Sequence, residues 1–84
     1  MSESITVNVA DLYAFTGIAK PADLPKYEQA AIEMAGNGNV VTLTGPGPIW
    51  LYLRIAHALH GKAMTLNYES PVSGVIEIFN HNPF

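Results

Sequence analysis

The chain contains no cysteine. That excludes a disulfide framework and any thiolate metal site. Cations are almost as scarce: Lys20, Lys26, Arg54 and Lys62 stand against seven carboxylates, for a net charge of −3. Long nucleic acids are held through many Lys and Arg contacts to phosphate, and four cations do not supply them. A small anion with few phosphates, held by backbone N–H groups, remains compatible with this charge. Charged residues make up 13% of the chain, against about a quarter in average globular domains. Since 49% of the residues are apolar, some surface is expected to be buried against other subunits. No apolar run reaches the roughly 20 residues that span a bilayer. Met1-Ser2-Glu3-Ser4 is neither basic nor apolar, so a cytoplasmic protein without membrane contact is expected. There is no internal repeat, low-complexity tract or linker. A length of 84 residues predicts one domain, residues 1–84, whose limited core leans on oligomerisation.

What the chain does have is a glycine-proline turn running into a helix. Val40-Val41-Thr42-Leu43-Thr44 is short, apolar and β-branched, and reads as a strand. Gly45-Pro46-Gly47-Pro48 follows, then an apolar segment from Ile49 to His60 at helical spacing. Strand, tight turn and helix point free N–H groups and the positive end of the helix dipole at one spot, which suits a phosphate or another anion. Pro48 fits the first helical position, where its missing N–H costs nothing. A side chain at Gly47 is expected to bar close approach of a ligand. The plainer alternative is an ordinary α/β turn, which carries no ligand.

Ile5-Thr6-Val7-Asn8-Val9 alternates and predicts a half-buried strand. Periodicity does not decide whether Leu12–Thr16 is a second strand or an irregular segment. Asp23 reads as an N-cap with Pro25 in the first turn of a helix that ends at Gly36-Asn37-Gly38; Glu28 and Glu33 are expected as solvated surface charges. Gly61 should end the central helix. A strand over Ala63–Tyr68, a turn over Glu69–Gly74 and a strand over Val75–Asn80 complete the chain, the last two strands as a hairpin. The predicted fold is α/β: a minimal Rossmann-like βαβ sheet with two helices and added antiparallel hairpin strands. Ligands of such sheets bind beyond the carboxyl ends of the parallel strands, where Gly45–Pro48 and Tyr68–Gly74 should meet.

On the central helix, Leu51, Ile55, Ala56, Ala58 and Leu59 gather on one arc, expected to face the sheet. Trp50, Arg54 and His57 gather on another, beside Leu53 and His60. Cutting a phosphodiester by its own 2′-hydroxyl needs a base, an acid and a positive charge near phosphate. His57, His60 and Arg54 offer all three without a metal. His60 reads equally as a cation at the helix C-terminus. Trp50 could stack on a base or anchor a subunit interface.

Gly45-x-Gly47-Pro48-Ile49-Trp50-Leu51, followed by Ala56-His57, resembles the signature of a small CRISPR-associated ring nuclease family whose dimers sandwich cyclic tetra-adenylate. Tyr68-Glu69 and Phe79-Asn80-His81 continue the resemblance, and Lys20-Pro21 matches more weakly. The resemblance implies a CRISPR-associated Rossmann-like domain that binds this second messenger of type III CRISPR systems and cleaves it; the alternative is a non-cleaving sponge or sensor. It implies ligand contacts at Gly45, Pro46, Gly47, Pro48, Ile49, Trp50 and Tyr68, to which the helix reading adds Arg54, and a catalytic role for Glu69 beside those read for His57 and His60. It implies a homodimer that pairs into a dimer of dimers around the ring, and, as the alternative to metal-free attack, a Mn²⁺ site using His81 and Glu69 together with His57. It also favours a strand over Leu12–Thr16 that pairs with the first. The chain departs from the family after the tyrosine: Asp, Pro and Arg are replaced by Glu69, Ser70 and Pro71, and no basic residue follows Lys62. The missing arginine bears on cleavage more than on binding.

Overall fold

The computed structural model describes residues 3–81. Its elements are β1 (Ser4–Asn8), α1 (Leu24–Ala35), β2 (Val40–Thr44), α2 (Ile49–Leu59), β3 (Thr65–Ser70) and β4 (Gly74–Asn80), with 3-10 turns over Val9–Tyr13 and Pro21–Asp23. The four strands form one sheet in the order β1-β2-β3-β4. The first three run parallel and β4 is antiparallel to β3. This is the expected small α/β fold, with its two helices and its hairpin.

The pairing register explains which face carries the core. Val7, Leu43, Tyr68 and Ile76 lie side by side across the four strands, as do Ile5, Val41, Leu66 and Phe79. Both rows face the helices. Val7, Val41, Leu43 and Leu66 are buried under Leu51, Ile55 and Leu59 of α2 and Leu24, Tyr27, Ala31 and Ala35 of α1. The intervening row, Thr6, Thr42, Asn67 and Glu77, is polar, so strand alternation leaves the opposite face of the sheet hydrophilic. A bulge between Leu66 and Asn67 lets Ile76, Ile78 and Phe79 all serve the helix side of β4.

The second strand that the resemblance favoured over Leu12–Thr16 is not formed. Asn8 ends β1 by accepting the Ala10 N–H at 2.9 Å on its side-chain oxygen, and the chain coils into a 3-10 turn. The Tyr13 hydroxyl then ties this turn to the Pro46 carbonyl at 2.7 Å. Asp23 occupies the N-cap of α1 but makes no side-chain cap bond. The 3-10 turn before it continues into the helix, and the Leu24 N–H already donates to the Pro21 carbonyl. Gly36 ends α1 with a positive φ, as expected. Glu28, read as a free surface charge, pairs with Arg54 at 3.2 Å. Strand β3 begins two residues later than the pattern implied and keeps Glu69 and Ser70 within the ladder.

Candidate ligand cleft and histidine pair

The turn between β2 and α2 stands at the carboxyl ends of the parallel strands, opposite the β3–β4 turn. Between them lies an open cleft of about 840 Å³, within the range of small-molecule sites. Thr44, Gly45, Pro46 and Gly47 form one wall, Ile49 and Tyr52 the side toward α2, and Tyr68, Glu69, Ser70, Pro71 and Gly74 the other wall. The two segments expected to meet do so. Of the residues singled out beforehand, Gly45, Pro46, Gly47, Ile49, Tyr68 and Glu69 line this cleft. Pro48, Trp50, Arg54, His57, His60 and His81 do not.

The turn is held rigidly, and tyrosines hold it. Tyr52 donates its hydroxyl to the Gly45 carbonyl, and Tyr13 donates to the next carbonyl, that of Pro46. Tyr68 packs edge-on to Tyr52 with ring centroids 5.1 Å apart. Leu51 and Tyr52 N–H groups both point to the Pro48 carbonyl, while the helix offers no acceptor to the N–H groups of Ile49 and Trp50. These amides and the helix dipole are the attraction for an anion. The described lining has no cation and one carboxylate, Glu69. Neither Tyr13 nor Tyr52 was apparent as a site residue from sequence. The signal for Tyr52 was its helical spacing with Ile49 and Ala56, which places all three on the flank of α2 toward β3. Tyr13 carried no such signal.

Gly45 has φ +96°, and a Cβ there would run into the Asn8 side chain, so only glycine serves. At Gly47 the expected reason is corrected. A Cβ there would meet Val9 Cγ2 at 2.9 Å, and Val9 is fully buried. The missing side chain of Gly47 makes room for the core under the turn, so a larger residue disturbs packing before it meets a ligand.

Burial raises the pKa of Tyr52 above 10.0, with Tyr68 and Tyr13 adding to the effect. The hydroxyl therefore stays a donor beyond the ordinary tyrosine range. The folded value lies above the unfolded one, so this contribution to stability is complete below pH 10.0 and is lost as pH rises through the folded value. Tyr52→Phe is expected to lose the bond to Gly45, at a cost of about 1 kcal/mol. It should also flatten the alkaline fall in stability; urea unfolding at pH 8 and above pH 10 measures both.

The other flank of α2 faces α1. Arg54 Nη2 lies 3.2 Å from Glu28 Oε1, and Trp50 packs half-buried against the core. His57 is exposed. His60 caps the far end of α2, its N–H shared between the Ala56 and His57 carbonyls. Its ring stands edge-on to Phe79 at 5.2 Å and to His81 at 4.9 Å. The Nε2 atoms of His60 and His81 are 3.1 Å apart, and the His81 N–H donates to the Met64 carbonyl at 2.8 Å. This pair lies at the opposite pole of the fold from the cleft, since α2 runs about 16 Å between them at 1.5 Å per residue.

The same geometry separates Glu69 from His81. Glu69 pairs with Val75 beside the hairpin turn, whereas Asn80, which precedes His81, pairs with Thr65 at the other end. A hairpin folds back on itself, so residues near in sequence across it can lie a strand's length apart. Within the chain, Glu69 and His81 do not share a site. Among the described residues no three His, Asp or Glu side chains converge as a metal-binding group. No helix among them is long and apolar enough to cross a membrane.

Residues 13–83 match the family model described as CRISPR-associated protein (Cas_csx3). The match spans both the cleft and the histidine pair. No curated protein and no solved structure matches the chain.

Proposed function

The chain belongs to the Cas_csx3 family of CRISPR-associated proteins, and on that premise we propose that it binds cyclic tetra-adenylate and cleaves it between subunits. The observation that carries this reading is the cleft itself. The glycine-proline turn and the segment that opens with Tyr68-Glu69, where the resemblance to the ring nuclease signature lies, form its two facing walls. Phosphates of the ring lie against the N–H groups at the start of α2, and the open side of the cleft leaves the rest of the ligand to a second subunit. A symmetric ring suits a symmetric assembly that presents the same groups to each half, so the working unit is a cytoplasmic homodimer that closes on the ring as a dimer of dimers.

Cleavage brings the far pole of one subunit to the cleft of another. A deprotonated imidazole of the His60–His81 pair takes the 2′-hydroxyl proton, the 2′-oxygen attacks phosphorus, and the P–O5′ bond breaks. The partner imidazole returns a proton to the leaving oxygen, leaving a 2′,3′-cyclic phosphate. His57, one turn from His60, stands near that pole as a secondary candidate, while Arg54 lies at the middle of α2 against Glu28. Where the Mn²⁺ that the resemblance implies takes the place of this proton transfer, His60 and His81 would hold it through nitrogen, the donor type that suits it alongside oxygen, and Glu69 would reach it only from another subunit. Bound there, the ion would neutralise charge on a phosphate oxygen.

Calorimetry with the cyclic tetramer, followed by chromatography of the products with Mn²⁺ or with EDTA, tests the reading. Tight binding and linear products support it. Tight binding with no product under either condition leaves the sponge, a reading favoured by Pro71 standing where the family has arginine. No binding removes both.

A further inference from the structure

A serine stands in the cleft at the place where the resembled signature has proline. Ser70 is the last residue of β3. It lies two places beyond Tyr68, so the two side chains share the face of the sheet on which α2 rests, and both residues line the cleft. Its partner across the hairpin is Gly74, which has no side chain to cover it. Ser70 is half-buried and already carries two hydrogen bonds. Its oxygen accepts the Val72 N–H at 3.2 Å and the Ser73 N–H at 3.1 Å. A hydroxyl has two lone pairs and one proton. Both lone pairs are taken, and among the described residues the proton has no acceptor.

We infer that Ser70 binds the ring directly, donating its hydroxyl proton to a non-bridging phosphate oxygen. The two amides fix more than the turn. Oxygen sets its neighbours in a rough tetrahedron, so Cβ and two N–H groups leave a single direction for the proton. Val72 and Ser73 lie outside the cleft lining and hold the oxygen from the side of the turn, so that direction is toward the cleft. The donor is aimed before the ligand arrives, and binding spends little on orienting it. The filled lone pairs also decide what it takes. A hydroxyl that can only donate serves an acceptor and rejects an amino group. The phosphate oxygens are the charged acceptors of the ring, and hydrogen bonds to charged groups are the stronger ones. The described lining holds no cation, so on this wall an aimed neutral donor stands in for a positive side chain.

This inference rests on the proposed ligand, and cyclic tetra-adenylate with phosphorothioate linkages of one configuration tests it. Each configuration puts sulfur, a weak acceptor, in place of one of the two non-bridging oxygens. Calorimetry gives the affinities of wild type, Ser70→Ala and Ser70→Thr for the phosphate ring and for both thio rings. Wild type is expected to prefer the phosphate ring over one of the thio rings. Ser70→Ala should lose about tenfold in affinity for the phosphate ring and little for that thio ring. Ser70→Thr keeps a hydroxyl and should keep the wild-type preference. A residue that only braces the turn would cost all three rings alike. The strand ladder does not use the hydroxyl, so Ser70→Ala keeps its fold, which far-UV circular dichroism checks. Equal losses for all three rings, or a wild type that does not distinguish them, overturn the role of Ser70 and leave the ring as ligand. A wild type that binds none of the rings overturns both.

Discussion

Mixing His60→Ala protein with Pro71→Asp protein is expected to restore ring cleavage that His60→Ala alone has lost by about a hundredfold or more, the usual scale for a general acid or base, and that Pro71→Asp alone has lost through weakened binding. The reason is the length of α2. The cleft opens at its first turn and His60 closes its last, so no rearrangement short of unfolding brings the imidazole of a subunit to its own cleft. His60→Ala subunits keep intact clefts and bind the ring. Pro71→Asp subunits keep the histidine pair but set a carboxylate against the phosphates at the cleft mouth. Only an assembly in which the pole of one subunit meets the cleft of another can combine the two intact halves. Single-turnover cleavage, followed across mixing ratios, should peak at intermediate composition. A flat, inactive profile, with ring binding by His60→Ala retained, would sink the intersubunit mechanism. Wild-type cleavage should for the same reason fall more steeply than linearly on dilution.

How much of this was legible beforehand depends on the distance over which each feature is decided. The β2–turn–α2 unit was readable because its signals are local: a short apolar β-branched run, then Gly45 and Gly47; Pro48, expected in the first helical position, stands one residue earlier with extended backbone, as the N-cap of α2. The hairpin was readable from the short turn that joins two apolar runs. The Val9–Tyr13 segment was not, because its shape depends on a side-chain bond from Asn8 and on Tyr13 reaching Pro46, 33 residues away. The arcs of α2 show the limit most clearly. Periodicity tells which residues share a flank, and it grouped Trp50, Arg54 and His57 correctly. It does not tell which flank turns to the cleft. That follows from β3 lying on one side of β2 and α1 on the other, so the basic flank faces Glu28 while Ile49 and Tyr52 face the cleft. The distance between His81 and Glu69 was hidden in the same way, since only the hairpin register places them at opposite ends.

Replacing Pro71 by arginine is expected to raise affinity for the cyclic tetramer about tenfold or more. A charge-assisted bond to phosphate contributes about 1.5–3 kcal/mol, and about 1.4 kcal/mol is a factor of ten. Pro71 is exposed at the mouth of the cleft, whose described lining holds no cation. The turn tolerates the change because Ser70 holds it: the Ser70 hydroxyl accepts the Val72 N–H at 3.2 Å and the Ser73 N–H at 3.1 Å, and neither bond involves residue 71. Glu69 beside it does not cancel the gain, since an arginine presents five donors in a fork that engages phosphate bidentately. The added affinity should weaken as salt rises, because an exposed charge is screened over about 10 Å at 0.1 M ionic strength, whereas contacts made by the amides of α2 should change little. Pro71→Asp should shift affinity the opposite way with the opposite salt dependence. Calorimetric titration of the three proteins at two salt concentrations gives the comparison. Equal affinity in all three would place the ring's phosphates away from this wall of the cleft.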